Sequence, residues 1–291
     1  MKPQESYVTT ADGVRLFVRK LGSGPQVLMV PSAAWLFDDF QRLAHDQTQD
    51  RTVVFFDQRH RGQSDEVTDP AKLRNGVHHD VDDLEAVRKY VGAEQVDILG
   101  HSYLGLAVIL YAMKYPQHTR RVIQIGAVQP DMNKQYPAHL TGADATLAEV
   151  STKLGQLATQ APSEDPSALM QKTWALMSLL YVVNPADAAR VGTHAATLPN
   201  ETKSVKHITE NIMPSIFKLH LTRQQLATVQ APVLTIHGTR DRQAPYGGAI
   251  DWVEMLPNAQ LVTIKEAAHL PWIEKPAEVF GAIESFLAGA P

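Results

Sequence analysis

The stretch that most constrains the fold is an apolar run, a tight turn and a helix-forming segment over residues 96–115. Residues 96–99 are typical of a buried strand and residues 106–115 of a helix, and Ser102 lies in the turn between them. A strained strand-to-helix turn exposes a serine hydroxyl and aims it, as a nucleophile requires. A serine that merely caps a helix is the plainer interpretation. The choice depends on whether an acid and a histidine follow in suitable places.

Strand-like and helix-like segments alternate over residues 26–126, which predicts the fold class α/β with a mainly parallel sheet covered on both faces. The apolar runs typical of strands are residues 26–30, 51–56, 96–99, 121–126, 232–238 and 261–264. A hairpin with an Asp12-Gly13 turn is predicted at residues 7–18. An amphipathic helix is expected at residues 276–287.

The alternation stops near residue 127, and the signals are helical from there to about residue 227. We therefore predict a core in two parts, residues 1–127 and 228–291, with a helical cap of residues 128–227 inserted between them. Residues 174–181 are apolar on every side, which is unusual for a surface helix. They either pack between the cap and the core or line an apolar substrate cleft, and both can hold together.

The charge pattern and the residue types exclude some classes of function. The chain has 27 Lys and Arg against 31 Asp and Glu, scattered along the sequence, so no nucleic-acid partner is predicted. It has no cysteine, which excludes disulfides and thiol chemistry. His78 and His79 are direct neighbours that do not share a helix face, so no metal site is expected there.

The distribution of apolar residues also bears on location. No apolar leader is recognised at the N-terminus, and no apolar stretch is long enough to span a bilayer. These features predict a cytoplasmic protein without stable membrane insertion, whose partner is a small-molecule substrate. They do not indicate an oligomeric state.

Two polar residues follow strand-like runs downstream of Ser102. Asp241 comes after the run 232–238, and His269 comes after the run 261–264. Loops that follow parallel strands share one edge of the sheet, where ligands bind. Ser102, Asp241 and His269 are therefore predicted to converge, although they are far apart in sequence. Asp131 is a less favoured candidate for the acid.

Four motifs, taken together, resemble those of the serine hydrolases with the α/β-hydrolase fold, and the resemblance covers nearly the whole chain. They are Gly100-x-Ser102, Asp57-x-Arg59 with Gly62-x-Ser64, Gly238-x-x-Asp241-x-x-x-Pro245, and Ala268-His269-x-Pro271 with Glu274-x-Pro276. The Asp57–Ser64 turn is interpreted as structural. The resemblance implies a mostly parallel eight-stranded sheet flanked by helices, with an inserted helical cap.

The resemblance also implies roles for individual residues. His269 would take a proton from Ser102, and Asp241 would orient His269, as in a catalytic triad. The backbone N–H groups of Tyr103 and Ala33 would form the oxyanion hole. No metal or organic cofactor is implied.

Two departures from the family pattern concern the same site. Leu104 stands two residues after the nucleophile, where the family usually has Gly or Ala, so the turn is expected to be reshaped. Pro31 and Ser32 replace the usual His-Gly before the oxyanion donor. Residues 31–35 are expected to form a tight loop of small residues whose backbone approaches the ligand.

A serine nucleophile favours acyl transfer to water, and apolar side chains near the predicted site favour a small or medium apolar substrate. The expected activity is that of a carboxylesterase acting through an acyl-enzyme. The substrate pocket is predicted to contain Trp35, Leu104, Trp174, Leu176, Met177, Tyr181 and Leu270.

Two alternatives stay open. The cap, residues 170–189 above all, resembles that of the proline iminopeptidase-like branch, whose cap acids hold a substrate amino terminus. No specific acid can be matched to that role, and the candidate acids are interpreted as solvated surface charges: Asp131, Glu149, Asp187, Glu201 and Glu210. The other alternative is a member of the fold that binds a ligand with little turnover, which the complete set of triad residues disfavours.

Overall fold

The computed structural model describes residues 2–44, 51–160 and 165–289 of the chain. The strands are β1 Gln4–Thr9, β2 Arg15–Gly22, β3 Gln26–Pro31, β4 Arg51–Phe56, β5 Val96–His101, β6 Thr119–Ile125, β7 Val233–Gly238 and β8 Ala259–Ile264. The helices are α1 Ala33–Phe40, α2 Val77–Tyr90, α3 Tyr103–Lys114, α4 Ala145–Gln160, α5 Pro166–Tyr181, α6 Pro185–Ala196, α7 Glu201–His207, α8 Met213–Phe217, α9 Arg223–Leu226, α10 Tyr246–Met255, α11 Pro271–Glu274 and α12 Pro276–Ala288. A π-helix, Ile208–Ile212, joins α7 to α8.

All eight strands form one sheet in the order β1-β2-β4-β3-β5-β6-β7-β8. Strand β2 pairs antiparallel with β1 and β4, and the other neighbouring strands pair in parallel. The predicted hairpin and the mostly parallel eight-stranded sheet are therefore confirmed. Because β5, β7 and β8 run in the same direction, the loops that follow them lie at one edge of the sheet.

Both faces of the sheet are buried, and successive residues of a strand belong to different layers. Ile98 packs in a core with residues of α2, α3 and α10, whereas Leu99 packs in a second core with residues of α1 and α12. Val54 and Phe55 of β4 divide in the same way. This arrangement explains why the central strands are continuous apolar runs in the sequence.

The segment expected to be a tight loop, residues 31–35, is largely the beginning of a helix. Ser32 adopts the left-handed conformation, with φ 75° and ψ 57°, and α1 begins at the next residue. The loop prediction was wrong because the small residues that allow a close backbone approach are also good helix formers. The helix is fixed by Leu36 and Phe40, which are buried in the second core.

The apolar spacing of residues 205–219 predicts a helix that Pro214 interrupts, and the structure shows an interruption there. A proline has no N–H to donate to the preceding turn, and its ring crowds that turn. The backbone adopts the wider π-helical pairing over Ile208–Ile212, just before the proline, and continues as α8. Helix α10, in contrast, has no counterpart among the predicted elements.

Between β6 and β7 the described residues form helices α4–α9, and their only strand-like pairing is a single bridge from Asp131 to His220. We call residues 126–232 the helical insertion. Arg242 ties it to the loop after β7, because its guanidinium pairs with Asp144 at 2.6 Å and donates to the Val182 carbonyl at 2.9 Å. The division of this region as a separate cap over residues 128–227 stays a prediction.

Of the helices described, none combines the length and the apolar character that a bilayer-spanning segment needs. The cytoplasmic location stays a prediction.

Candidate active site

The candidate nucleophile lies where β5 ends and α3 begins. Ser102 has φ 59° and ψ −128°, a conformation that costs a residue other than glycine about 1–3 kcal/mol. Its N–H donates to the Ile125 carbonyl at 3.0 Å, and its carbonyl accepts from the Gly105 N–H at 2.9 Å. The surrounding backbone therefore holds Ser102 in the strained turn that was predicted from the sequence.

The turn is tightly packed around two glycines, and a reshaping of the turn by Leu104 stays a prediction. A Cβ on Gly105 would lie 2.6 Å from the Cβ of Ala127, and a Cβ on Gly100 would collide with the Leu104 carbonyl. Neighbouring parts of the chain therefore lie closest to the backbone at Gly100 and Gly105, where there is no room for a Cβ. The Leu104 side chain is 3% exposed and lies between the core and the cavity described below.

The candidate acid and the candidate base are in contact. His269 Nδ1 donates to Asp241 Oδ2 at 2.8 Å, and both side chains are buried. Asp241 Oδ1 accepts from the N–H groups of Gln243 at 2.8 Å and Ala244 at 2.9 Å. Burial alone would raise the pKa of Asp241, but the charge of His269 and hydrogen bonds from His237 and His269 lower it well below its ordinary value. Asp241 is therefore ionised and holds the His269 ring by Nδ1, so Nε2 is the ring nitrogen that is not bound to the acid.

Ser102 lies beside this pair. The ring of His101, the residue before it, is 4.5 Å from the His269 ring, and His101 Nε2 donates to the His269 carbonyl at 3.0 Å. Tyr181 packs edge-on against His269 with ring centroids 5.1 Å apart. The hydrogen bonds formed by the described residues include none between Ser102 Oγ and His269 Nε2. Since such contacts are often long before substrate binds, this last link of the triad belongs to the proposal below.

The candidate oxyanion donors are the first residues of two helices, Ala33 of α1 and Tyr103 of α3. The N–H at such a position has no partner within its own helix. The next N–H of α1, that of Ala34, is already bound to Asp57 Oδ1 at 2.7 Å. Tyr103 lines the cavity beside Ser102, whereas Ser32, rather than Ala33, is the cavity-lining residue at the start of α1. Ala33 as a second donor stays a prediction.

The turn after β4 is held by internal hydrogen bonds, in line with its structural interpretation. Ser64 Oγ donates to the Asp57 carbonyl at 2.7 Å, and Asp57 Oδ2 accepts from the Gln63 N–H at 3.0 Å. Arg59 forms buried ion pairs with Asp83 at 2.6 Å and with the less buried Asp12 at 2.8 Å. Burial would raise the pKa of Asp12, but the bond to Arg59 lowers it to about 2.

A cavity of about 370 Å³ lies at Ser102. Three aromatic rings form part of its wall: the Trp35 ring is 5.3 Å from that of Trp174 and 6.3 Å from that of Tyr181. Residues of α5 and of the segment from α7 to α8 cover it, so the helical insertion contributes much of the wall. A larger surface groove of about 730 Å³ between β1 and α2 contains none of the predicted site residues.

Most of the predicted pocket residues line this cavity, namely Trp35, Leu104, Trp174, Met177 and Tyr181. Leu176 and Leu270 are not in its wall. Leu176 is adjacent in sequence to Met177, and neighbouring helical positions point in different directions. Leu270 is 1% exposed and packs in the second core, with its N–H bound to the Tyr181 carbonyl at 3.0 Å.

Two charged residues of the cavity wall were missed as site residues. Glu201, expected to be a solvated surface charge, is only 4% exposed, so that prediction was wrong. The Arg61 guanidinium lies beside it, with Nη2 3.5 Å from Oε2. Burial raises the pKa of Glu201, and the charge of Arg61 opposes that rise. The helical spacing of Glu201, Val205 and Ile208, all in the cavity wall, is the signal that could have placed it.

Asp131, the alternative acid, is placed elsewhere. Its Oδ1 accepts from the Asn133 N–H at 2.9 Å and lies 3.3 Å from His220 Nδ1. The structure therefore pairs His269 with Asp241 and not with Asp131. Within the part of the chain that the structure describes, no group of three or more His, Asp or Glu side chains is arranged to hold a metal ion.

Glu274 connects the loop of His269 to the helical insertion. Its Oε2 accepts from the Ala268 N–H at 2.7 Å, directly before His269. Its Oε1 accepts from the Val183 N–H at 2.6 Å, in the connection between α5 and α6. One carboxylate thus fixes the position of the candidate base relative to the helix that lines the cavity.

The comparison with known protein families agrees with this architecture. A family model described as alpha/beta hydrolase fold matches residues 27–276, most of the chain. The chain therefore belongs to the α/β-hydrolase family.

Several relatives have named activities. The 2-hydroxymuconate semialdehyde hydrolase of Pseudomonas putida is 26% identical over 288 residues, which cover 92% of this chain and 85% of that protein. Carboxylesterase YbfK of Bacillus subtilis is 27% identical over 206 residues, 68% of this chain and 60% of that protein. The proline iminopeptidase of Saccharolobus solfataricus matches only in part, with 40% identity over 72 residues that cover 24% of this chain and 23% of that protein.

A solved crystal structure has a similar fold. The crystal structure of the esterase RhEst1 from a Rhodococcus species superposes with a TM-score of 0.73 at 17% identity, and both chains are covered completely. At this sequence identity the similarity supports a shared fold and nothing finer.

Proposed function

We propose that the chain is a serine hydrolase that cleaves carboxylic esters of small or medium apolar substrates. The observation that supports this most is the hydrogen bond from His269 to an ionised Asp241, beside Ser102 at the wall of a largely apolar cavity. Membership of the α/β-hydrolase family and the similarity to a carboxylesterase agree with it.

In the proposed first step, Ser102 Oγ attacks the carbonyl carbon of the ester while His269 Nε2 takes its proton. Asp241 stabilises the positive charge that develops on His269. The carbonyl oxygen becomes an oxyanion, which accepts hydrogen bonds from the N–H of Tyr103 and from that of Ala33. Collapse of this intermediate breaks the ester C–O bond, and His269 returns the proton to the leaving alcohol.

The second step is the hydrolysis of the acyl-enzyme. His269 takes a proton from a water molecule, whose oxygen attacks the acyl carbonyl carbon. The new tetrahedral intermediate releases the carboxylic acid, and Ser102 Oγ recovers its proton from His269. No cofactor enters either step.

An N-terminal aminopeptidase is the second candidate. A buried acid from the insertion, Glu201, lies in the cavity wall, and such an acid could hold a substrate ammonium group. The partial match to a proline iminopeptidase points the same way. The esterase ranks first because Arg61 already lies beside Glu201. Its positive charge offsets the negative charge of Glu201 that an ammonium group would need.

The test is turnover of p-nitrophenyl esters of increasing acyl length, and of an N-terminal proline anilide, by the natural protein and Ser102→Ala. We expect ester hydrolysis in the natural protein and a loss of about 10⁴-fold or more in the variant. Ser151→Ala, a change at an exposed serine of α4, is the matched control and should keep full activity.

The other outcomes decide between the alternatives. Preferential cleavage of the anilide would favour the aminopeptidase. Ester hydrolysis that persists in Ser102→Ala would rule out Ser102 as nucleophile. Ligand affinity without turnover, equal in both proteins, would indicate a binding protein.

A further inference from the structure

The cavity at Ser102 has a polar region within its largely apolar wall, made by Arg61 of the turn after β4 and Glu201 at the start of α7. Both side chains are almost fully buried, at 8% and 4% exposure. Both line the same cavity as Ser102 and the aromatic group of Trp35, Trp174 and Tyr181. A charged pair in such a place needs an explanation, since it is not used in the proposed hydrolysis.

The hydrogen-bonding capacity of this pair is largely unused. The two side chains approach only to 3.5 Å, which is longer than an ordinary hydrogen bond between charged groups. Arg61 Nε and both carboxylate oxygens of Glu201 have no hydrogen-bond partner among the protein groups described. Buried polar atoms of native proteins are nearly always paired. The unpaired atoms therefore offer a donor and two acceptors, from side chains of the cavity wall, to a bound molecule.

The charges around the pair indicate what kind of molecule fits. Two other buried carboxylates, Asp57 and Asp80, lie within electrostatic reach of Arg61, and burial raises the pKa of both above the ordinary value. Arg61 and Glu201 are the charged side chains in the wall of the cavity, and they carry opposite charges. A substrate carboxylate would be attracted by Arg61 and repelled by Glu201, and an ammonium group would meet the opposite conflict. A neutral group that both donates and accepts hydrogen bonds is repelled by neither side chain.

We propose that Arg61 and Glu201 bind a hydroxyl group of the substrate, away from the reacting ester. The hydroxyl donates to Glu201 and accepts from Arg61, while the chain that carries it lies against the aromatic side chains. This inference rests on the proposed function and narrows it: the substrates are esters with a hydroxyl group on the acyl or the alcohol side, rather than purely aliphatic esters.

The kinetic test compares esters of equal length with and without a terminal hydroxyl. On the acyl side, methyl 6-hydroxyhexanoate is compared with methyl heptanoate; on the alcohol side, 5-hydroxypentyl acetate is compared with hexyl acetate. The measured quantity is the ratio of kcat/KM within each pair, followed by titration of the released acid. A hydrogen bond to a charged group supports a preference of about tenfold or more.

The matched variant is the double change Arg61→Met with Glu201→Leu. Replacing a buried ion pair as a whole by apolar side chains is often tolerated, whereas removing one partner leaves an unpaired buried charge. We expect the hydroxyl preference of the natural protein to fall by about tenfold in the double variant, in one of the two series. Glu201→Gln, which keeps the size and the acceptor oxygen, should keep part of the preference and provides a second readout.

A binding measurement separates this inference from the proposed function. Ser102→Ala is titrated with hexane-1,6-diol and with heptan-1-ol, and the fluorescence of Trp35 and Trp174 in the cavity wall reports binding. We expect the diol to bind about tenfold more weakly once the double change is added, and the alcohol to lose less. This result would support the subsite even if no ester were hydrolysed.

Three results would overturn the inference. One is a hydroxyl preference that is equal in the natural protein and the double variant in both series. A second is a greater preference for methyl 6-aminohexanoate or for the monomethyl ester of a dicarboxylic acid. A third is diol binding that is unchanged by the double change. That result is expected if only water molecules bind to the unpaired atoms of Arg61 and Glu201.

Discussion

At the scale of single residues, the candidate site contains a strained backbone conformation at Ser102, and hydrogen bonds hold both Ser102 and Asp241 in place. Ser102 is held at φ 59° by hydrogen bonds of its own backbone to Ile125 and Gly105. Asp241 is held by two backbone N–H groups on one oxygen and by His269 on the other. In the proposed reaction, groups fixed in this way would need little rearrangement, which is a main source of catalytic power in enzymes.

The choice of Asp241 over Asp131 as the acid is tested by a pair of like substitutions. Asp241→Asn keeps the size of the side chain but removes the charge that orients and stabilises His269, so ester kcat should fall by about 10³- to 10⁴-fold. Asp131→Asn changes an acid that is bonded to Asn133 and His220, and its activity should stay close to that of the natural protein. Steady-state kinetics on one p-nitrophenyl ester measures both.

The reverse order of effects, with Asp131→Asn the more damaging, would contradict the assignment. Thermal unfolding of both variants is the control, because a poorly folded Asp241→Asn protein would lose activity for a trivial reason. The comparison is valid at temperatures where both variants are folded.

The residues that could be predicted from the sequence are those whose position follows from the strand order. Ser102, Asp241 and His269 each come after an apolar run, so the geometry of a parallel sheet brings their loops to one edge. Glu201 and Arg61 have no such relation. Their closeness depends on how the insertion packs over the core, and a charge on a short helix is usually solvated. The burial of Glu201 is therefore a tertiary result, and its helical spacing with Val205 and Ile208 is only an indirect signal of it.

At the scale of elements, the connections between the insertion and the core loops determine where His269, the candidate base, lies. Glu274 of α11 bonds to backbone N–H groups on both sides, one before His269 and one after α5. The Leu270 N–H adds a bond to the Tyr181 carbonyl at 3.0 Å. The position of His269 therefore depends on contacts with a helix that also forms the cavity wall.

Glu274→Gln tests this connection. Glu274 Oε1 also accepts from the Asn184 N–H at 3.3 Å. A glutamine has one acceptor oxygen, so its amide NH₂ faces N–H donors on one side and the hydrogen bonds of that side are lost. We expect kcat for esters to fall by about tenfold, the change expected for roughly 1.4 kcal/mol in the barrier, with a smaller change in KM.

The control for this prediction is Glu278→Gln, in the exposed first turn of α12, which should have no effect on kcat. Unchanged kcat in Glu274→Gln would show that the connection is not needed to position His269. A fall in thermal stability without a fall in kcat would indicate a purely structural role.

Element boundaries show where local signals suffice and where they do not. The interruption at Pro214 could be predicted, because a proline cannot donate the hydrogen bond that the helix requires. The start of α1 at Ala33 could not, since small residues suit both a tight loop and a helix. The burial of Leu36 and Phe40 decides in favour of the helix, and that depends on the second core.

At the scale of the whole molecule, the fold is stabilised by two cores, one on each face of the sheet. The insertion joins the first core through Ile212 and Ile216 and the second through Val182 and Val191. Stability and the covering of the active-site cavity are therefore linked. We expect a buried histidine of the insertion, His207, to make this link sensitive to pH. It is 7% exposed and packs against His60 with ring centroids 5.9 Å apart.

Burial lowers the pKa of His207 to about 4, and the neighbouring charges of His60, Arg59 and His79 act in the same direction. In the unfolded chain a histidine has its ordinary pKa near 6.5. Above that pH both states are neutral, and His207 has no effect on the free energy of unfolding. As the pH falls towards 4 the unfolded state takes up the proton first, so the native state loses stability, by at most about 3 kcal/mol. Below pH 4 this contribution is constant.

His207→Phe removes the proton-binding group while keeping a planar ring against His60. We expect the free energy of unfolding, measured by urea titration at a series of pH values, to fall less steeply between about pH 6.5 and pH 4 than in the natural protein. His139→Gln, a change at an exposed histidine, should leave the slope as it is. Equal slopes in His207→Phe and the natural protein would mean that His207 is protonated as readily when folded as when unfolded. The acid sensitivity would then arise from other groups, among them His60, His79 and His101, whose pKa values are also lowered, first of all by burial.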